Sequence, residues 1–214
     1  MRAFWDLGLN FPPLRWCVYA FRYLSWRRLF PKAKFDYGCH IKNSIFGDSV
    51  RLSRGCKVLN SSLGRFSYVG ENTVISRSDI GKFTCIGPGV LVNLGSHPTY
   101  RKSIHPAFYS ESLRAAKTFV TSNSYVEYDN VTIGNDVWIG ARALILGGAS
   151  VPDGTIISAG SVVKKGDKLR PYGIYGGSPL VLLKMRKYGE DYRVSDRWWE
   201  LEDQILRERL DEFS

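Results

Sequence analysis

Across residues 133–163 an aliphatic side chain returns at every sixth position: Ile133, Ile139, Ile145, Val151, Ile157 and Val163. Four residues after each of the first five stands a small or β-branched residue: Val137, Ala143, Ala149, Thr155 and Ser161. The same frame opens upstream at Phe46, Leu52 and Val58. It resumes at Leu63, Val69, Ile75, Ile80 and Ile86, with one-residue slips near Asn60 and Ser78. Two inward positions in every six suit neither an amphipathic helix, of period 3.6, nor an alternating strand, of period 2. They suit a short strand and a corner repeated around a triangular coil. The aliphatic residue fills the axis, the small one fits beside it, and Gly or Asn takes the tight backbone of the corner. No single coil could bury such a ladder alone, so the coils must stack. The expected fold is an all-β solenoid.

A chain of 214 residues suits one domain. Its four cysteines (Cys17, Cys39, Cys56, Cys85) lie far apart without CxxC pairing. That spacing argues against a zinc knot or a disulfide framework and for a reducing, cytoplasmic setting. The opening residues lack an apolar leader region and break at Pro12 and Pro13. No run approaches the roughly 18 apolar residues of a membrane span. The net charge of +10 is unevenly spread. Residues 1–40 hold seven Lys/Arg against Asp6 and Asp36, whereas residues 190–214 hold nine acids against four arginines. No nucleic-acid motif accompanies the excess, so nucleic acid is not an expected partner; the phosphates of a small cofactor are a better target.

The organisation read from these patterns is an N-terminal cap (1–40), first coils (41–91), an extended loop (92–130), second coils (131–170) and a final turn with a C-terminal helix (171–214). Residues 14–30 place Leu14, Cys17, Val18, Phe21 and Leu24 at helical spacing. This helix reads either as a cap over the open end of the coil or as a basic, aromatic face for a membrane surface. Residues 195–213 read as a helix, with Ser195 as N-cap.

The second run closes with Trp138-Ile139-Gly140, Ala159-Gly160-Ser161, Val162-Val163-Lys164-Lys165 and Gly177-Ser178-Pro179. These motifs resemble the closing coils of the hexapeptide-repeat acetyltransferases, among them the galactoside, maltose and xenobiotic (chloramphenicol, streptogramin) enzymes. The resemblance covers residues 41–190. Ser178, where the family has Asn or Val, and the long connector "KKGDKLRPY" depart from it. It implies a left-handed parallel β-helix, an exception to the right-handed crossover rule. It also implies a homotrimer and acetyl-CoA as acyl donor, with no metal. Trp138, Gly140, Ala141, Ala159 and Gly160 would then line the donor groove. Lys164, Lys165 and Lys184 would meet the nucleotide phosphates, with Arg186 nearby. Physical chemistry agrees: a pantetheine arm needs close backbone approach at small corners, and phosphates call for Lys or Arg.

The interrupting segment "SHPTYRKSIHPAFYS" resembles the loop of acetyltransferases that decorate bacterial surface polysaccharides, and the matching catalytic position is His97. Transfer from a thioester to an alcohol needs a base for the hydroxyl and then an acid for the thiolate; a neutral imidazole serves both steps. Glu127 or Asp129 is the candidate to orient that imidazole, and Tyr100, His105 and Tyr109 are acceptor-side candidates. The expected activity is O-acetylation of a sugar or polysaccharide, with a xenobiotic acetyltransferase and a non-enzymatic scaffold as alternatives. A zinc anhydrase would need three converging histidines; His40 is remote from His97 and His105.

Overall fold

The computed structural model describes residues 12–187 and 197–213. The chain winds into a three-sided, left-handed parallel β-helix. The first face stacks Lys34–Phe35, Arg51–Leu52, Tyr68–Val69, Cys85–Ile86, Trp138–Ile139, Ile156–Ile157 and Gly173–Gly176. The second stacks His40–Lys42, Lys57–Leu59, Val74–Ser76, Leu91–Val92, Leu144–Ile145 and Val162–Val163. The third stacks Ile45–Phe46, Ser62–Leu63, Ser78–Ile80, Val131–Ile133 and Ser150–Val151. An antiparallel strand, Val181–Met185, turns back along Gly173–Gly176 and ends the first face.

Register places like over like. On the first face Phe35, Leu52, Val69, Ile86, Ile139, Ile157 and Tyr175 pair in succession, all buried. Each fully buried aliphatic side chain stabilises the fold by roughly 1.5–3 kcal/mol, so these columns carry most of the stability. The small position has a second use where it is polar. The Ser67 hydroxyl donates to the Gly81 carbonyl (2.7 Å) and accepts from the Thr84 amide (3.0 Å) of the next coil. Thr73 repeats the pattern with Gly87 and Val90. Cys39 and Cys56 occupy the same column. Burial pushes their thiols up to about 12 and about 11, so they act as small core residues.

The slips in the repeat are one shortened corner. Ile41 and Phe46, Val58 and Leu63, and Ile75 and Ile80 bracket it, whereas Ile145 and Val151 bracket a corner one residue longer. The short version turns on left-handed residues, Asn43 (φ 47°), Asn60 (φ 50°) and Arg77 (φ 43°). The Asn43 amide donates to Asn60 Oδ1 (3.3 Å), tying successive coils.

Both ends differ from the helical spacing read in the sequence. The N-terminal helix, Pro12–Leu29, covers the first coil, but Phe21 and Leu24 point to solvent, 73% and 66% exposed. The packed side is aromatic instead: Trp26 and Phe30 meet Phe35 edge-on, Phe30 meets Phe46, and Tyr19 meets Tyr37. Flat rings fit the open end of the coil better than the aliphatic stripe does. The side chain of Leu14 lies outside the described residues. At the C-terminus the α-helix is only Asp203–Glu208, flanked by 3₁₀ turns at Trp198–Glu200 and Leu210–Phe213. Arg65 breaks the longer helix by taking the carbonyls of Trp199 and Leu201 and pairing with Asp203 (2.6 Å). Ser195, read as the N-cap, lies outside the described residues. Among the described residues no helix is long and apolar enough to cross a membrane.

Between Val92 and Val131 the chain leaves the coil at the corner of the second and third faces. Asn93 staples the point of departure. It is 1% exposed, and its amide nitrogen donates to the carbonyls of Arg77 (3.1 Å) and Asp129 (2.7 Å), joining both ends of the loop to the coil below.

Two stability outcomes follow from this packing. A Cβ on Gly140 would sit 2.4 Å from the Ala159 backbone nitrogen, so Gly140→Ala should destabilise by roughly 1–3 kcal/mol in urea unfolding, the cost of an overpacked core. Asn93→Ala removes one of the two donors from each of the Arg77 and Asp129 carbonyls, which keep the Val131 and Gly148 amides, at about 0.5–1.5 kcal/mol for each bond lost. It should speed proteolysis within residues 93–130 more than it lowers the melting temperature of the coil.

Candidate functional site at the loop base

The loop is held by its own hydrogen bonds. The Ser96 amide donates to the Glu127 carbonyl (2.7 Å), and the Ser96 hydroxyl lies 2.9 Å from the Tyr125 hydroxyl. Farther out, Phe119 and Ser124 amides donate to the Ala107 and Tyr109 carbonyls. Arg101 clamps Ser124 through its carbonyl (2.6 Å) and hydroxyl (2.9 Å). His105 caps the 3₁₀ turn Pro106–Phe108: its Nδ1 accepts from the Ala107 amide (3.1 Å). That turn carries Tyr109 inward to full burial.

His97 stands at the loop base with an exposed ring. Its Nδ1 lies 3.0 Å from the Ile104 carbonyl oxygen and 2.7 Å from the Tyr109 hydroxyl. A carbonyl can only accept, so a proton on Nδ1 satisfies Ile104, whereas a bare Nδ1 would set two lone pairs face to face. In the neutral ring this leaves Nε2 as the free base. Nε2 has no partner among the described residues. Burial first, and then the charge of Glu127, push the Tyr109 phenol up, so it stays protonated. His97 lines a cavity of about 250 Å³ together with Gly95, Pro106, Arg114, Glu127 and Tyr128.

The two carboxylates read as orienting partners do not touch the imidazole. Asp129 pairs with Lys165 at 2.7 Å. Glu127 shares the His97 cavity, with Oε2 3.9 Å from Arg114 and Oε1 buried without a partner. Orientation comes instead from Ile104 and Tyr109, groups the loop itself folds back. No spacing rule marks a backbone carbonyl, and Tyr109 stands in the sequence only as an acceptor-side candidate. Tyr100 is 76% exposed, under Arg101, and is not among the residues lining the His97 cavity. His40 lies on the second face, in His40–Lys42 near the capped end.

The residues of the expected donor groove divide. Ala141, Ala159 and Gly160 meet at the corner of the first and second faces. They line an open groove of about 770 Å³ with Arg142, Asn72 and Glu71. Gly140 is buried between coils, and Trp138 projects outward from the first face, 53% exposed. Lys164 and Lys165 follow Val163 at the next corner, whereas Lys184 stands on the antiparallel edge strand of the first face. Arg186 is tied to Asp136 and the Gly154 carbonyl, at 2.8 and 2.9 Å. Burial raises the Asp136 carboxyl even so, and Arg186 acts against that rise.

Outward residues differ by face. The first carries Tyr68, Trp138, Ile156 and Ile174, and the second Val74, Leu91, Leu144 and Val162. The third carries Ser62, Asp79, Thr132 and Ser150. Two adjoining faces are therefore apolar over their later coils and one is polar.

Residues 130–165 match the family described as bacterial transferase hexapeptide (six repeats). Over 81 residues the chain is 36% identical to a chloramphenicol acetyltransferase of Agrobacterium fabrum, covering 36% of this chain and 37% of that one. It is 34% identical over 70 residues to the galactoside O-acetyltransferase of Escherichia coli, covering 30% and 34%. The chain thus spans less than half the length of these curated relatives. AntD, an N-acyltransferase from Bacillus cereus crystallised with dTDP and 3-hydroxybutyryl-CoA, shares the fold at a TM-score of 0.64 and 17% identity, over 88% of this chain and 95% of that one. In its hexapeptide repeat and its left-handed β-helix, this chain resembles the hexapeptide-repeat acetyltransferases.

Proposed function

We propose that the chain transfers an acetyl group from acetyl-CoA to a sugar hydroxyl, with His97 as general base. The observation that carries this reading is the held imidazole, its Nδ1 engaged by Ile104 and Tyr109 and its Nε2 free beside a cavity. Nε2 takes the hydroxyl proton as the acceptor oxygen adds to the thioester carbonyl carbon. The tetrahedral adduct collapses by breaking the carbon–sulfur bond, and the imidazolium returns the proton to the departing thiolate. An acetyl ester and free CoA result, with no acyl-enzyme.

The groove at Ala141, Ala159 and Gly160 supplies small corners for a pantetheine arm; Lys164 and Lys184, with Lys165 once it exchanges Asp129 for a phosphate, supply charge for phosphates. This groove and His97 lie on different edges of one prism. A threefold assembly resolves that separation: the apolar first face of one copy meets the second face of the next, and the loop of a neighbour reaches the groove. Head-to-tail contacts of this kind close under threefold symmetry. The free cysteines suit a reducing, cytoplasmic compartment. AntD with its acyl-CoA and the galactoside O-acetyltransferase support a thioester donor and a sugar acceptor. The matches to chloramphenicol acetyltransferases favour a second reading, a xenobiotic hydroxyl as acceptor. Thiol release from acetyl-CoA across sugars, nucleotide sugars, polysaccharides and chloramphenicol separates the two. Release with chloramphenicol alone would decide for the second.

His97→Ala should lower kcat by roughly 10²–10⁴-fold, the range of a positioned acid–base group. The KM for acetyl-CoA and the melting temperature should hardly move, because the ring lies outside the buried columns. His105→Ala should cost less, acting only through the turn that seats Tyr109. Equal losses in both variants would reassign the base. Light scattering should show a trimer at about three times the 24.2 kDa chain mass; a stable, active monomer would remove the shared site.

A further inference from the structure

Behind the His97 cavity lies a second one, of about 380 Å³, and the two share Arg114, Glu127 and Tyr128 as a common wall. Arg77 forms part of the far side. Its backbone is pinned at the loop base, where its carbonyl accepts from Asn93 and from the Val131 amide (3.2 Å). Its side chain is exposed and forms no ion pair among the described residues; the guanidinium carbon rests 5.5 Å from the centre of the Tyr128 ring. Arg114 sits 5.9 Å from the same ring and donates to the Tyr128 hydroxyl. Both guanidinium groups therefore rest against one aromatic ring and line one cavity. Among the described residues Glu127 is the single carboxylate lining either cavity, and at 3.9 Å it offsets Arg114 only loosely. Ser110, Ser112 and Asn123 add hydroxyl and amide groups to the wall, which Tyr125 and Val126 complete.

We propose that Arg77 and Arg114 form an anion subsite next to His97, and that the acceptor is a sugar bearing a phosphate or a carboxylate. The proposal deepens the transferase reading and rests on it for the word acceptor. Planar guanidinium forks match the paired oxygens of either anion, and the polar wall suits sugar hydroxyls. The subsite anchors the charged substituent while a hydroxyl of the same sugar reaches Nε2. It also sets specificity: a neutral sugar leaves Arg77 without an ionic partner and Arg114 with Glu127 alone, at 3.9 Å.

Titration calorimetry tests this without turnover, using glucose, glucose 6-phosphate and glucuronate on the full chain. At least one charged sugar is expected to bind about tenfold or more tightly than glucose, the difference made by one charge-assisted hydrogen bond. The phosphate and carboxylate arms identify which anion the site takes. Arg77→Gln and Arg114→Gln should each remove about tenfold of that margin, and Arg77→Lys, which keeps the charge but loses the planar fork, should fall between Arg77→Gln and the unchanged chain. Arg114 also supports the loop through Tyr128, so Arg77, on the coil, is the cleaner variant. Equal binding of all three sugars, or a margin untouched in Arg77→Gln, overturns the proposal. A rise in the KM for acetyl-CoA with charged-sugar binding unchanged assigns the arginines to the donor and overturns it too. Charged sugars that bind but are never acetylated, in a protein that acetylates nothing, would overturn the transferase reading and leave the anion site standing.

Discussion

Everything in this protein depends on register between coils. Parallel strands of two or three residues have little stability of their own, and each becomes worth forming only when its inward side chain lies over the one below. Ile86, Ile139 and Ile157 stand in one column although 53 residues separate the first pair, because Cys85–Ile86 and Trp138–Ile139 pair directly across the interruption. The coil therefore continues as if the loop were absent. Such a scaffold accepts an insertion only at a corner, where no ladder hydrogen bond is broken.

The insertion sits at the corner where the chain has already shown a preference for unusual backbone. Asn43, Asn60 and Arg77 turn that corner in the left-handed region, and Asn93 does so at φ 58° as the loop departs. The Asn93 side chain then replaces what a regular corner would have supplied, binding the Asp129 carbonyl across the gap and the Arg77 carbonyl of the coil below. The loop base is thus as fixed as the coil, although the loop has hardly any regular structure. A rigid scaffold carrying a shaped loop is a common arrangement for functional residues.

Charge at the site follows the same division between coil and loop. Arg77 comes from the coil and Arg114 from the loop, and Tyr128 lies against both. Lys165 and Asp129 bridge coil and loop at the same corner, farther along the coil. Being exposed, that pair contributes little to stability, but it occupies the lysine and the aspartate with each other. Asp129 is thereby kept from the His97 imidazole, whose Nδ1 is held by groups of the loop's own turn.

The sequence alone determined the solenoid, because a six-residue period has one geometric solution and is written in local side-chain sizes. The one-residue slips also mark a real shortening of a corner. His97, the interruption around it and the small residues Ala141, Ala159 and Gly160 were legible as motifs. Only the tertiary structure decided what surrounds them. The Ile104 carbonyl and Tyr109 reach His97 because the turn capped by His105 folds back, and Arg77 joins Arg114 across 37 residues because the loop returns to its starting corner. The N-terminal helix and its place over the first coil were legible, but its inward side and the extent of the C-terminal helix were not, for a related reason. Their spacing describes a helix in isolation, whereas aromatic rings over the first coil and the grip of Arg65 on Trp199 and Leu201 set which side faces inward and where the helix stops. Periodicity reports contacts that repeat, and a contact made once leaves no period to read.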